Sequence, residues 1–174
     1  MIPKKLLIAF LDFTEFKVQS LRVKDIEIAE TLDAVYALVA RAVDAAGGNV
    51  VKFIGDAALV VFPEKAVDAG VRALLELKPS LDRFMSDRNW DCRLHVRVHF
   101  GEVIAGQFGP EGDKRFDVIG RNVNAAAMLK PNGITLSAEA FRKLSPKLRK
   151  SFKEHAPEVT YVPADAPGRS HGRQ

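Results

Sequence analysis

Apolar and polar positions along the chain switch between two periods, and the switches mark the elements. Residues 4–12, "KKLLIAFLD", form an apolar run bounded by polar residues, which suits an inner strand. From Asp25, taken as the N-cap, Ile28, Leu32, Val35, Val39, Val43 and Ala46 recur at steps of three and four, and Gly47-Gly48 stops the pattern. That segment is predicted to be a long helix. "NVVKFI" and "AALVVF" follow, joined by Gly55-Asp56, and read as a hairpin. Pro63 opens a second predicted helix with Val67, Val71, Leu74 and Leu81 on one face and a bend or break at Pro79. "CRLHVRVHF" alternates cleanly and "EVIAGQFG" follows Gly101, so a second hairpin is expected there.

Beyond this point the pattern is looser. "GPEGDKRF" reads as an exposed loop, and "DVIGRNVNAAAMLK" becomes helical before Pro131 and Gly133 end it. "GITLS" is a short strand, Ser137 caps the helix "AEAFRKL", and a last strand lies near "EVTYV". From Pro163 the tail "PADAPGRSHGRQ" has no apolar residue beyond alanine and is expected to be disordered. The order predicts an α+β sandwich, a mostly antiparallel sheet with helices on one face. One domain spans 1–162 and the tail spans 163–174.

Composition narrows the class. The 174 residues, 47% apolar and 28% charged, suit one globular domain with a real core. No apolar run approaches the roughly 20 residues that span a bilayer, and the basic start "MIPKK" lacks a cleavage site after its short apolar run. A cytoplasmic protein with no membrane partner is expected, and the single Cys92 excludes an internal disulfide framework. A net charge of +4 favours polyanionic partners in general. The basic run "RKLSPKLRKSFK" lacks the alternation of aromatic and basic residues of a nucleic-acid platform, so it reads as a solvated helix face with no nucleic-acid partner. His95, His99, His155 and His171 show no metal-ligand spacing and are expected to be satisfied or solvent-exposed.

Two aspartates stand where strands end. Asp12 closes the first strand and Asp56 sits in the bend of the first hairpin. If these strands are neighbours, both carboxylates emerge at one sheet edge, where oxygen ligands can share hard cations and support phosphoryl transfer. Either aspartate by itself reads first as a turn or helix-capping residue. The segment Phe13, Thr14, Glu15 and Phe16 leads into a helix, whose backbone N–H groups suit phosphate, with Lys17 just beyond.

Taken together, "FLDFTEF" (10–16), "GGNVVKFIGDAALVVF" (47–62), "HFGEVIAGQFGPEGDKRFDVIGRNVNAAAML" (99–129) and the continuation "PNGITLSAEAFRKL" resemble the catalytic domain of the class III nucleotidyl cyclases, the adenylate and guanylate cyclase superfamily. The likeness covers residues 4–145. It implies a ferredoxin-like sandwich acting as a head-to-tail homodimer that converts a nucleoside triphosphate to its 3',5'-cyclic monophosphate and pyrophosphate. By motif position, Asp12 and Asp56 would hold Mn2+ or Mg2+, two ions per site. Lys52 and Asp117 would read the base, and Asn124 would orient the ribose across the dimer interface. Lys52 and Asp117 match the residues of adenylate cyclases.

The chain also departs from the family pattern. Met128 stands where an arginine usually stabilises charge on the α-phosphate, leaving Arg121 and Lys130 as candidate replacements. Glu15 and Lys17 replace a glycine and a threonine, and Arg97 stands in "VRVHF" where glycine is expected. The chain is expected to open on its first catalytic strand, without a preceding sensor module. These features resemble the stand-alone pyrimidine cyclases of bacterial antiphage systems, often called Pycsar, whose cyclic UMP or cyclic CMP acts on a separate effector protein. A UTP or CTP cyclase in phage defence is therefore the leading expectation. An adenylate cyclase and a weak or inactive nucleotide-binding module are the alternatives.

Overall fold

The computed structural model describes residues 1–155 and 159–166. Strand β1 (Ile2–Phe13) organises it, pairing antiparallel with β3 (Ala57–Pro63) on one side and with β4 (Leu94–Phe108) along its whole length on the other. The sheet continues outward through β2 (Asn49–Ile54) beside β3, and through β6 (Ile134–Ser137), β8 (Thr160–Pro163) and β7 (Phe152–His155) beyond β4. Strand β5 (Arg115–Ile119) pairs with the far half of β4. Among the described residues only the β4–β6 pair is parallel, so the mostly antiparallel α+β class holds.

Side-chain alternation along β1 splits the interior into two cores. Leu7, Ala9, Leu11 and Phe13 face the long helices α2 (Asp25–Ala45) and α3 (Val67–Ser86), whose Val35, Val39, Val43, Val71, Leu74 and Leu81 complete that core. Leu6 and Ile8 face the other way, with Leu59, Val61, Val103, Ala105 and Val118. Helix α4 (Arg121–Met128) covers this second core through Ala126. The expected one-sided helix layer therefore describes α2 and α3, while α4 lies on the opposite face. Its run of alanines lets the short helix sit close over the strands.

Most predicted elements form, with instructive shifts. Helix α2 begins at Asp25 but is preceded by Lys24 as cap, so Asp25 lies in the first turn, where a carboxylate favours the positive helix end. It stops where expected: Gly47 takes φ 73°, and Gly48 packs so closely that a Cβ there would lie 2.5 Å from the Phe62 ring. After Pro63 a single 3-10 turn precedes α3, which then runs unbroken through Pro79. The hairpin expected at Gly101 does not exist: β4 is one continuous strand, and the hairpin is β4–β5. Gly101 is small because Asn122 of α4 sits on it, and a Cβ would lie 2.3 Å from the Asn122 Cγ.

Part of the segment expected to be an exposed loop, from Arg115, belongs to β5. The basic run read as a helix face divides into α5 (Ala138–Lys143), capped by Ser137 as expected, the one-turn α6 (Pro146–Arg149), capped by Ser145, and β7. Of the tail expected from Pro163, residues up to Ala166 are described, and the Ala164 amide donates to the Ser151 carbonyl at 2.8 Å. Its residues 167–174, including His171, lie outside the described residues, as does Glu158 of the predicted last strand.

Candidate active site

The register places the two aspartates together. Leu11 stands opposite Ala58, so Asp12 at the end of β1 and Asp56 in the β2–β3 turn come to the same sheet edge. The turn is made by Gly55, with φ 58°, and its carbonyl accepts a 2.5 Å hydrogen bond from the Tyr36 hydroxyl of α2. Tyr36 also stacks on Phe53, ring centres 3.9 Å apart, and so ties the bend to the helix layer. Sequence reasoning missed this residue. Its signal is a polar-tipped aromatic beside Val35 on an otherwise aliphatic stripe.

The electrostatics are those of a carboxylate pair with countercharge on one side only, at Asp12. Burial holds the Asp56 carboxyl above its ordinary range, and the negative charge of Asp12 pushes the same way, against hydrogen bonds from the amides of Asp56 and Phe13. Burial and then Asp56 also raise the Tyr36 hydroxyl. The cation nearest this pair is unexpected: Arg97 reaches from β4 to place Nη2 3.1 Å from Asp12 Oδ1, while its Nη1 donates to the Ala127 carbonyl in α4. Two hard oxygen donors that repel one another suit a divalent cation, so the donor set fits the metal that the sequence implied. No third His, Cys, Asp or Glu joins them among the described residues.

The phosphate segment is narrower than expected. The Phe13 amide bonds Asp56, while the Thr14 amide donates to the Arg93 carbonyl at 2.9 Å and the Thr14 hydroxyl accepts from the Arg93 amide at 3.0 Å. That leaves Glu15 and Phe16 of the four as the N–H candidates. Glu15 has φ 54° just before the five-residue α1 (Phe16–Ser20), and Phe16 packs against Trp90 with ring centres 5.4 Å apart. Lys17 is exposed.

A second cluster assembles on β2, β5 and α4. A register shift between Val50 and Lys52 sets Lys52 opposite Leu59, whose side chain belongs to the core beneath α4. The Lys52 Nζ lies 2.6 Å from Asp117 Oδ2, and Asp117 Oδ1 accepts from the Val118 amide. The two residues predicted to read the base, 65 positions apart in sequence, are therefore in contact. Arg121 and Asn124 are exposed on α4, and Met128 at its end is 81% exposed. Beneath them the buried His99 joins Asn122, 3.0 Å from Nε2, to Ser137, 2.9 Å from Nδ1, and Asn122 donates to the Glu102 carbonyl. This satisfied histidine network seats α4. Among the described residues, no hydrogen bond or ion pair joins Lys52, Asp117 or Asn124 to Asp12 or Asp56.

The two-layered α+β sheet thus carries a carboxylate pair, Asp12 with Asp56, and apart from it a lysine–aspartate pair, Lys52 with Asp117. Residues 4–170 match the adenylate and guanylate cyclase catalytic domain, and the chain belongs to that family. It is 28% identical over 134 residues to an adenylate cyclase of Anabaena cylindrica, covering 72% of this chain and 27% of that protein. It is 27% identical over 150 residues to adenylate cyclase 2 of Rhizobium meliloti, covering 79% of this chain and 41% of that one. The chain thus spans well under half the length of either relative. Among solved structures, the adenylyl cyclase CyaB of P. aeruginosa superposes with a TM-score of 0.83 at 19% identity, over 95% of this chain and 96% of that one. A bacterial light-regulated adenylyl cyclase gives 0.84 at 20% identity, over 97% of this chain and 54% of that one. No described helix is long and apolar enough to cross a membrane.

Proposed function

We propose that the chain is a nucleotidyl cyclase, converting a nucleoside triphosphate to its 3',5'-cyclic monophosphate and pyrophosphate at the interface of a homodimer. The observation that carries this reading is the separation of the half-sites: Asp12 and Asp56 share one sheet edge, while Lys52, Asp117 and Asn124 stand apart from them. A head-to-tail partner would bring the second half-site to the first. Exposed Ile104, Ile119 and Met128 beside that half-site give the interface apolar surface to bury.

In the reaction, the ribose 3'-oxygen bonds to the α-phosphorus as the bond to pyrophosphate breaks and the hydroxyl proton is released. Catalysis of such a step is chiefly alignment and charge stabilisation. Bound Mg2+ or Mn2+ would supply positive charge and lower the hydroxyl's pKa. Asp12 and Asp56 would hold it, Glu15 and Phe16 would offer amides to phosphate, Asn124 would orient the ribose, and Lys52 with Asp117 would donate to and accept from the base. The lysine–aspartate contact favours ATP, because adenine's ring nitrogen accepts from the one and its amino group donates to the other. The altered residues Glu15, Lys17, Arg97 and Met128 favour the second reading, a UTP or CTP cyclase of phage defence whose product acts on a separate effector. In both readings the domain works in the cytoplasm, where its substrate is found.

Incubation with each of the four ribonucleoside triphosphates and Mn2+, with products resolved by mass spectrometry, tests both readings. Cyclic AMP as the main product selects the first, and cyclic UMP or cyclic CMP selects the second. No cyclic product from any of the four would leave a nucleotide-binding module instead.

A further inference from the structure

Arg97 is placed unlike a surface arginine. Its side chain is only 19% exposed, two of its nitrogens are engaged by Asp12 and by the Ala127 carbonyl, and its Nε is buried without a hydrogen-bond partner among the described residues. The Phe10 ring lies beneath the guanidinium, 5.9 Å from its centre. A side chain so confined cannot swing freely into solvent. It holds a full positive charge against one of the two carboxylates that would bind a metal, and an arginine cannot shed that charge.

We propose that Arg97 is a built-in cation of the metal site: the Asp12–Asp56 pair binds one divalent ion in competition with this guanidinium, in place of the two ions expected from the sequence. The inference rests on the cyclase reading of the two aspartates. Two carboxylates with one guanidinium sum to a single negative charge, which matches one divalent ion poorly and two not at all. A dication approaching Asp12 must either displace Arg97 from Oδ1 or bind through Asp56 and the other Asp12 oxygen, a few ångströms from a like charge. At the effective dielectric of a partly exposed site, that repulsion weakens binding by at least about tenfold. Arg97 is thus a positioning residue that tunes the ion's affinity through Asp12.

The test is direct Mn2+ binding to the full chain, counted by the loss of the free-ion electron paramagnetic resonance signal, with no nucleotide present. Wild type and Arg97→Lys are expected to take one Mn2+ per chain weakly. Arg97→Gln and Arg97→Gly should bind it at least about tenfold more tightly, and Asp12→Asn should erase the difference between wild type and Arg97→Gln. Thermal melting of each variant confirms folding, and Arg97→Gln retains a donor for the Ala127 carbonyl if glycine loosens α4. Equal affinity in wild type and both neutral variants overturns the proposal alone, as does tight binding of two ions by wild type. Absence of Mn2+ binding in every variant overturns it together with the metal reading.

Discussion

Asp56 shows what a half-buried carboxylate costs its own fold. Burial keeps its carboxyl above the usual value, so the folded chain binds that proton more readily than the unfolded one. The charged form therefore destabilises the fold at neutral pH, and the penalty is relieved as pH falls from the folded-state value to the lower unfolded-state one. Asp56→Asn should raise the melting temperature of the metal-free protein at pH 7 and flatten the difference between pH 7 and mildly acid conditions. It should also abolish the melting shift produced by Mn2+ and lower turnover by about a hundredfold or more, since metal charge stabilisation is worth several kcal/mol. A melting temperature equal to or below wild type's would show that the carboxylate is well solvated or well paired after all. Glu15 carries a different strain: it adopts the left-handed conformation that favours glycine, the residue its family uses there. Cys92 stands apart from the chemistry, with burial and nearby Asp56 and Asp91 pushing its thiol up to about 11, which makes it a poor nucleophile.

Among the elements, β4 separates what the sequence can say from what it cannot. Its alternation to Phe100 was legible, and so was a glycine at 101. A glycine, however, reads the same whether it turns the chain or makes room for a neighbour. Here the neighbour is Asn122, more than twenty positions away, so the unbroken strand is a tertiary fact. Gly101→Ala should then destabilise by about 1–3 kcal/mol through overpacking, shift α4, and reduce activity through that shift. Chemical denaturation and turnover measured together check it, and unchanged stability would mean Asn122 moves freely. The aspartate pair was legible because Asp12 and Asp56 each end a strongly patterned strand. The Lys52–Asp117 contact, the Tyr36 anchor on Gly55 and the Arg97–Asp12 pair were not, because each depends on which strands or helices become neighbours. The short β5 and β7 escaped for a simpler reason: charged residues interrupt the alternation on which a strand assignment relies.

For the whole molecule, the proposal that each active site draws on two copies leads to a test by complementation. Asp56→Ala and Asn124→Ala should each be nearly inactive alone. Mixed in equal amounts and allowed to exchange, they should recover about a quarter of wild-type activity, because half the dimers are mixed and each mixed dimer has one intact site. No recovery, with exchange verified by size-exclusion of a tagged copy, would place the whole site within one chain. The full-length pairing of β1 with β4 carries a further implication, for how the molecule comes into being. Strand β1 is apolar, and although β3 follows it within the same half of the chain, its full-length partner β4 emerges only about ninety residues later. Until then one of its edges is open to other nascent chains. Folding dominated by such distant pairing is slow, and the waiting strand is the segment most exposed to misassembly. The central strand that holds Asp12 steady in the finished protein is thus its chief hazard during synthesis.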